Sequence, residues 1–431
     1  MTLTDWVVSC ADGLELLLIE ELKELGITDC TRTAGAILVK GTLEQAYRIC
    51  LWSRLASRVF KPLLTVNDIA PEAMYEAAVA FPWNEVFAVN KTFAIHAVAS
   101  KGVVTHTQYM ALKLKDAIAD YFRNSTGQRP DVRVQESDAP LHIFIQEGSL
   151  TISLDMSGES LHRRGYRTQI GEAPLKETLA AAILRQAGWP NARFEALVDP
   201  MCGSGTFITE AALMFGDVAP GLHRNYYGFL GWQGHDAQLW MKLLDEARAR
   251  EAAAAQKPWP QFFGYDASRD ALQAAMKNAH AAGIGQRIVL ENRELWKLPA
   301  APAKLGLLVT NPPYGERIGD SETTLWLYKA VGRLARERLP GWQAAVLAAD
   351  IQHADALGLQ HRDTQRLRNG DLTVFVRHGD VIPADEEIAH VFTPQIHEIP
   401  EEGEAFANRV QKNLAHCQKQ AQREGVSCYR V

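Results

Sequence analysis

Two short segments about a hundred residues apart carry residue types that suit a single chemical reaction. The first is Asp-Pro-Met-Cys-Gly-Ser-Gly-Thr at 199–206, which follows the apolar run 196–198 and precedes helical spacing over 207–214. Its glycines, Gly203 and Gly205, therefore lie at a strand-to-helix turn, where they tolerate positive φ and let a ligand approach the backbone. The sequence predicts that the whole octapeptide binds a ligand: Asp199, Pro200, Met201, Cys202, Gly203, Ser204, Gly205 and Thr206.

The charge of this turn indicates which ligand it would bind. A dinucleotide site would carry three glycines as Gly-x-Gly-x-x-Gly, and a P-loop would carry a lysine, whereas this turn has two glycines, no lysine and the acidic Asp199. An acidic entry disfavours phosphate and suits the cationic sulfonium and ammonium groups of S-adenosylmethionine. The alternative is an ordinary tight turn between a strand and a helix.

The second segment is Asn-Pro-Pro-Tyr-Gly at 311–315, directly after the apolar run 307–309. Two prolines fix φ and remove two backbone donors, which leaves a stiff loop rich in hydrogen-bond acceptors. The side-chain oxygen of Asn311 and the carbonyl of Pro312 can accept from an exocyclic amine, while Tyr314 offers a face for base stacking. Proximity and orientation then suffice for methyl transfer, without a nucleophilic residue. The predicted catalytic residues are Asn311, Pro312, Pro313 and Tyr314; the alternative is a rigid turn.

Two acidic residues between these segments, together with Asn311, complete the predicted cofactor-binding set. Asp266 ends the strand-like run 262–266, and an acid at the end of the second strand of an open α/β sheet can accept both ribose hydroxyls of an adenosine ligand. Glu294 follows the predicted strand 288–290 and could accept from the adenine amino group. Alternatively, Asp266 caps the helix that begins after it.

Alternating strands and helices surround these residues. In the N-terminal third, the patterns predict strands at 6–8, 36–39, 58–60, 92–96, 132–134, 142–145 and 151–154, and helices at 13–25, 43–52, 71–81 and 105–122. Further on, they predict helices at 239–255, 268–282 and 322–339 and strands at 342–348 and 372–376. The first sixty residues read as a ferredoxin-like α+β unit, and a second α+β unit follows.

The motifs resemble those of the class I S-adenosylmethionine-dependent methyltransferases, and Asn-Pro-Pro-Tyr resembles the subset acting on exocyclic amines of adenine or guanine. Further segments tighten the resemblance to the guanine-N2 methyltransferase half of the bifunctional bacterial 23S rRNA methyltransferases, a similarity that runs through nearly all 431 residues. These segments are Leu-His-Arg-Arg-Gly-Tyr-Arg at 161–167, Ala-Pro-Leu-Lys-Glu-Thr-Leu-Ala-Ala-Ala at 173–182, Ala-Pro-Gly-Leu-His-Arg at 219–224, and Asn311 to Arg317.

This resemblance implies an α/β fold, with a Rossmann-like class I methyltransferase domain preceded by an α+β ferredoxin-like and THUMP RNA-binding module. The expected domains are 1–62 (ferredoxin-like), 63–157 (THUMP), 158–380 (methyltransferase, with an insertion at 216–260) and 381–431 (a linker and the start of a possible second domain). The implied reaction is 2-amino methylation of a guanine in domain V of 23S rRNA, near the peptidyl-transferase centre. The substrate would be 23S rRNA or a ribosome assembly intermediate, and a second methyltransferase could act in cis or in trans. Glu294 departs from the family, which more often has Asp there.

The candidate RNA-binding residues are basic side chains near the predicted site. They are Arg163, Arg164 and Arg167 ahead of the catalytic domain, His223 and Arg224 in the insertion, and Arg317 after the second segment. Aromatic residues accompany the insertion's cations at Tyr226, Tyr227, Phe229 and Trp232. They could stack on unpaired bases or pack the insertion onto its domain, and the sequence leaves both alternatives open.

Composition limits the remaining function classes. A net charge of −6 still allows local basic patches for phosphate. The six cysteines show no Cys-x-x-Cys spacing, so we expect no metal and no disulfide framework. Neither a signal segment nor a membrane span is expected, which predicts a cytoplasmic protein. Three alternatives stay open: a tRNA guanine-N2 methyltransferase, an adenine-N6 nucleic-acid methyltransferase, and a non-catalytic RNA-binding protein with a relic methyltransferase fold.

Overall fold

Two seven-stranded sheets organise the residues that the computed structural model describes, which are 3–103, 105–167, 175–313, 321–370 and 372–383. Both sheets lie in one compact unit, residues 1–382. The predicted linker and second-domain segment at 381–431 lies outside the described residues from 384 onward. Tyr314 and Arg317 also lie outside them.

The first sheet has the strand order β2-β3-β1-β4-β7-β6-β5. Strand β4 pairs antiparallel with both β1 and β7, so the two predicted α+β units share one continuous sheet, and the expected boundary at residue 62 falls inside β4. The strands of this sheet and the helices between them are, in chain order, β1 (Thr4–Ser9), α1 (Glu15–Glu24), β2 (Cys30–Thr33), β3 (Ala36–Gly41), α2 (Leu43–Trp52), β4 (Arg58–Val66), α3 (Pro71–Ala80), β5 (Phe93–Ala99), α4 (Thr107–Thr126), β6 (Ala139–Gln146) and β7 (Ser149–Asp155).

Two strands of this sheet differ from the sequence prediction. The short polar β2 has no apolar alternation to reveal it and is held in place by hairpin pairing with β3. The predicted strand at 132–134 is wrong, because only Val132 pairs, through an isolated bridge to Phe93, while Val134 is exposed. A β-branched run does not form a strand without a neighbour for its backbone groups.

The second sheet has the order β10-β9-β8-β11-β12-β14-β13. The first five strands are parallel, and β14 and β13 form an antiparallel hairpin at one edge. Its elements are α5 (Glu177–Gln186), β8 (Ala196–Asp199), α6 (Thr206–Phe215), α7 (Ala237–Ala255), β9 (Gln261–Asp266), α8 (Arg269–Ala281), β10 (Ile288–Asn292), β11 (Gly306–Thr310), α9 (Ser321–Arg338), β12 (Gln343–Ala348), α10 (Ile351–Ala356), β13 (Gln360–Asn369) and β14 (Leu372–Asp380). The sequence prediction omitted α5, α10 and the polar edge strand β13.

Alternate residues of the central strands enter different cores. Leu197 and Leu307 belong to the large core that contains α5 and α6, whereas Val198 and Leu308 belong to a smaller core with Trp342, the residue directly before β12. Both faces of the parallel strands are therefore covered, which explains why these strands read as continuous apolar runs. The fold is the predicted α/β arrangement with a preceding α+β module.

The insertion packs onto the first sheet through its aromatic side chains. Tyr227 and Phe229 are buried and stack with ring centroids 5.1 Å apart, and Phe229 lies 4.6 Å from the ring of Tyr47 in α2. The Tyr226 hydroxyl donates to the carbonyl of Ser137. For Tyr227 and Phe229, the packing alternative is therefore correct, because neither ring is accessible to an RNA base.

The described ranges contain neither a helix suited to a membrane nor a cluster of metal-binding side chains. None of the helices in those ranges combines the length and apolar character that crossing a membrane requires. Nor do the described residues bring together three His, Cys, Asp or Glu side chains that could hold a metal ion. The four cysteines described, Cys10, Cys30, Cys50 and Cys202, are free thiols.

Helix α9 packs closely against the backbone that follows α10. Gly332 of α9 lies against the backbone carbonyl of Leu357, so a substitution at Gly332 tests this close contact. Alanine normally stabilises a helix by about 1 kcal/mol relative to glycine. Here we expect Gly332→Ala to lower the free energy of unfolding by about 1–3 kcal/mol, because a Cβ would overlap that carbonyl. Urea denaturation followed by circular dichroism measures the change, and a more stable variant would contradict the packing.

Candidate active site

The two predicted segments meet where the order of the second sheet reverses. Strand β8 lies between β9 and β11, with Val198 opposite both Phe263 and Leu308 in parallel register. Because all three strands end at the same edge, Asp199 at the end of β8 and Asn311 after β11 lie at neighbouring strand ends. In open α/β sheets, ligands bind in the crevice outside such a reversal.

The glycine turn is bound tightly to the neighbouring strand. Gly203 and Gly205 have φ of 54° and 80°, as the sequence predicts for a tight turn. A Cβ at Gly203 would meet open space, whereas one at Gly205 would lie 3.0 Å from the Cβ of Ala275 in α8. The backbone N–H of Cys202 donates to the carbonyl of Tyr265 at 2.9 Å. The turn is thus held by its contacts with β9 and α8, while the space beside Gly203 stays open.

Asp266 both supports this turn and faces the crevice edge. Its Oδ2 accepts from the backbone N–H of Gly203 at 2.9 Å, and its Oδ1 accepts from that of Ser268 at 2.8 Å. The cap of α8 is Ser268, whose side chain accepts from Ala271, so the alternative in which Asp266 is the N-cap residue is wrong. Each carboxylate oxygen keeps further lone-pair capacity for a ligand hydroxyl.

Asp199 is a buried carboxylate with no basic partner among the described side chains. It is 2% exposed, and its Oδ1 accepts from the backbone N–H of Met201 at 3.1 Å. Burial raises the pKa of Asp199 to about 7, although hydrogen bonding favours the ionised form. A cationic ligand at this position would supply the missing counter-charge.

Asn311 also carries a buried polar atom at this edge. Its Oδ1 is buried and accepts no hydrogen bond from any residue that the structure describes. Pro312 is buried beside it, and Pro313 is half-buried. A buried carbonyl oxygen without a donor is uncommon in folded proteins, because it loses its hydration without compensation. The arrangement can therefore accept a hydrogen bond from a ligand N–H group.

Glu294 lies just beyond β10 and is the least constrained of the predicted ligand-binding residues. Its side chain is 44% exposed and lies 3.6 Å from the ammonium of Lys297. Sequence reasoning missed two asparagines that stabilise the same edge. Asn278 of α8 donates to the carbonyl of Ser204 at 3.1 Å, and Asn292 donates to that of Asp266 at 2.9 Å. The signal for Asn278 was an amide on the apolar side of an amphipathic helix.

The predicted RNA-binding arginines do not form one exposed patch. Arg164 is 1% exposed and donates to the backbone carbonyls of Leu161 and Arg54 at 2.8 and 2.6 Å. Arg224 donates to four backbone carbonyls, at Ser157, Glu159, Ser160 and Arg163. For Arg164 and Arg224, the RNA-binding prediction is wrong, because the terminal nitrogens of both guanidinium groups already donate to the protein's own backbone carbonyls.

The remaining basic candidates differ in accessibility. Arg167 is mostly buried, with its Nε 2.7 Å from a carboxylate oxygen of Glu177, and its contact with RNA stays a prediction. The Nε2 of His223 is buried. The side chain of Arg163 is largely exposed and pairs with Glu159 at 3.3 Å, so Arg163 stays a candidate for RNA contact.

Three family models match consecutive parts of the chain. Residues 5–60 match the RlmL ferredoxin-like domain, 70–155 match the THUMP domain, and 164–377 match the RMKL-like methyltransferase domain. A curated relative, the ribosomal RNA large subunit methyltransferase K/L of Acinetobacter baumannii (strain AYE), is 42% identical over 447 aligned positions. That alignment covers 100% of this chain and 60% of the relative, so the chain spans about three-fifths of the length of such relatives.

Solved structures match both sheets together. The structure of SMU.472, described as a methyltransferase complexed with SAH, has a TM-score of 0.78 at 26% identity and covers 89% of this chain and 100% of that one. A Listeria monocytogenes protein described as a predicted N6-adenine-specific DNA methylase has a TM-score of 0.75 at 27% identity and covers 88% of this chain and 96% of that one. By its three domains and their order, the chain belongs to the family of THUMP-domain class I methyltransferases that includes the large-subunit ribosomal RNA methyltransferases K/L.

Proposed function

We propose that this chain transfers a methyl group from S-adenosylmethionine to the exocyclic 2-amino group of a guanine in 23S rRNA. The observation that carries the proposal is the buried Oδ1 of Asn311, which has no hydrogen-bond partner among the described residues. It lies one strand away from the glycine turn and from Asp199, whose carboxylate has no counter-charge among them. One group is suited to an amine and the other to a cation, and both lie at the edge where parallel strands end.

The residues present fit S-adenosylmethionine. The open space in front of Gly203 admits a ligand against the backbone, and the carboxylate of Asp199 suits the cationic methionine end. Asp266 would bind the ribose hydroxyls, and Glu294 the adenine amino group. When bound, S-adenosylmethionine supplies an electrophilic methyl group on its sulfonium, so the protein need not provide a nucleophile of its own.

The role of the second segment is to hold and orient the target amine. The Oδ1 of Asn311 and the carbonyl of Pro312 would accept hydrogen bonds from the two N–H groups of the target amine. These bonds would direct the nitrogen lone pair towards the methyl donor. Tyr314 would stack on the base. The guanine must leave its helix to reach this crevice, at a cost of a few kcal/mol that protein–RNA contacts must offset.

The choice of 23S rRNA rests on the relatives and on the THUMP domain. The curated relatives are named for the large ribosomal subunit, and a THUMP-containing module precedes the catalytic domain. On these grounds, the RNA partner would be free 23S rRNA or a ribosome assembly intermediate, in the cytoplasm. A second methyltransferase would act in cis or in trans. The Listeria monocytogenes neighbour favours adenine N6 as the second candidate.

Transfer of tritium from labelled donor distinguishes these substrates. We expect label in unmodified 23S rRNA and, after nucleoside chromatography, in N2-methylguanosine, with none in tRNA or DNA. Label in N6-methyladenosine would support the second candidate, and N2-methylguanosine in tRNA would redirect the substrate. A folded protein that transfers no label to any of the three would contradict the proposed reaction.

Asn311→Ala tests the amine contact. We expect turnover to fall about 100-fold, since both orientation and charge stabilisation are lost, with less than a twofold change in SAH affinity by calorimetry. Asn191→Ala provides a matched control, because Asn191 is exposed and its side chain caps only the N–H of Arg193. Equal losses of turnover and SAH affinity would contradict the assigned role.

The raised pKa of Asp199 predicts how SAH binding depends on pH. Only the ionised carboxylate attracts the ammonium group, so below pH 7 binding must first release the proton that Asp199 holds in the free protein. Affinity should therefore weaken about tenfold between pH 8 and pH 6. Asp199→Asn should bind SAH weakly at both values, with no such slope. A wild-type affinity independent of pH would contradict the predicted contact.

A further inference from the structure

One face of α6, the helix that follows the glycine turn, is bound by polar side chains from outside the second sheet. Thr206, Glu210 and Leu213 follow one another at spacings of four and three residues and so share a face. Arg167 donates to the Thr206 hydroxyl at 2.9 Å. The Tyr166 hydroxyl donates to Oε1 of Glu210 at 2.9 Å. Both contacts come from the segment that joins the two sheets.

The same face is connected to the first sheet through Arg54 and Arg164. Arg54, just after α2, donates to the carbonyls of Leu213 and Val218 at 3.3 and 2.7 Å. Arg164 donates to the carbonyl of Arg54 at 2.6 Å, and its Nε lies 3.6 Å from Oε1 of Glu210. An unbroken set of contacts therefore links the RNA-binding module to the start, middle and end of α6.

These charges are held away from solvent. The side chains of Arg164 and Glu210 are 2% and 0% exposed. A buried ion pair adds little to stability, because lost hydration offsets the attraction, but it satisfies both partners only in a narrow range of geometries. Within the described residues, Tyr166 is the one hydrogen-bond donor to the Glu210 side chain. The set is therefore better suited to fixing a position than to adding stability.

We propose that Arg164, Tyr166 and Glu210 are positioning residues for the methyl transfer. By fixing α6 against the RNA-binding module, they set the position of the Gly203–Thr206 turn relative to the strand end at Asn311. All three residues are buried, so neither the donor nor RNA can reach them. The proposal rests on the proposed function, because a fixed turn matters only if donor and target amine must be aligned across the crevice.

Tyr166→Phe tests this role, since it removes one hydroxyl and leaves the ring that fills the core. The rate of a single turnover at saturating donor and RNA should fall about tenfold, because misplacing reacting groups by a fraction of an ångström is costly. Glu210→Gln keeps an acceptor for Tyr166 but removes the charge beside Arg164, and should lower the same rate. Both are measured well below the unfolding temperature, with circular dichroism confirming folded protein.

Tyr227→Phe is the matched control. It also removes one buried hydroxyl, and that hydroxyl donates to the carbonyl of Gly221 at 2.8 Å rather than to a residue of α6. We expect it to lower the unfolding temperature about as much as Tyr166→Phe while leaving the single-turnover rate unchanged. If wild type is active and the two tyrosine variants turn over equally fast, the positioning role is overturned and the proposed function is unaffected. If wild type neither binds SAH nor transfers methyl groups, the proposed function fails with it.

Discussion

The parallel pairing of β8 with β11 is the interaction on which the candidate site depends. Asp199 and Asn311 are about a hundred residues apart in the sequence, and only this register brings them to adjacent strand ends. The pairing is buried on both faces, since Leu197 and Leu307 enter one core while Val198 and Leu308 enter another. A slip of one residue would exchange these sets, so the register is strongly specified.

Two buried groups at the candidate site differ from two buried arginines outside it. Arg164 and Arg224 are surrounded by backbone carbonyls that accept their N–H groups. Asp199 lacks a counter-charge and Asn311 lacks a donor among the described residues. Burial without a partner is unfavourable, and it is tolerated where a ligand completes the hydrogen bonds. Both unpaired groups lie at the same sheet edge.

Local sequence patterns were enough to predict the elements that carry the site. The apolar runs before Asp199 and Asn311 form buried parallel strands, because their side chains pack into the two cores. The glycine turn has the expected positive φ. The polar strands β2 and β13 could not be predicted, because pairing with a neighbour rather than apolar alternation stabilises them. The clustered arginines after residue 160 predicted an RNA surface. Clustering along the sequence cannot show that Arg164 donates to the carbonyl of Arg54, a residue more than a hundred positions earlier.

We propose that the donor lies across the ends of β8 and β9 with its sulfur towards Asn311. A crystal structure of the protein with SAH tests it most directly. We predict electron density for the ribose beside Asp266, the amino group beside Asp199, and the sulfur facing the crevice between β8 and β11. Density for SAH elsewhere on the protein, or with the adenine in place of the sulfur beside Asn311, would contradict the account.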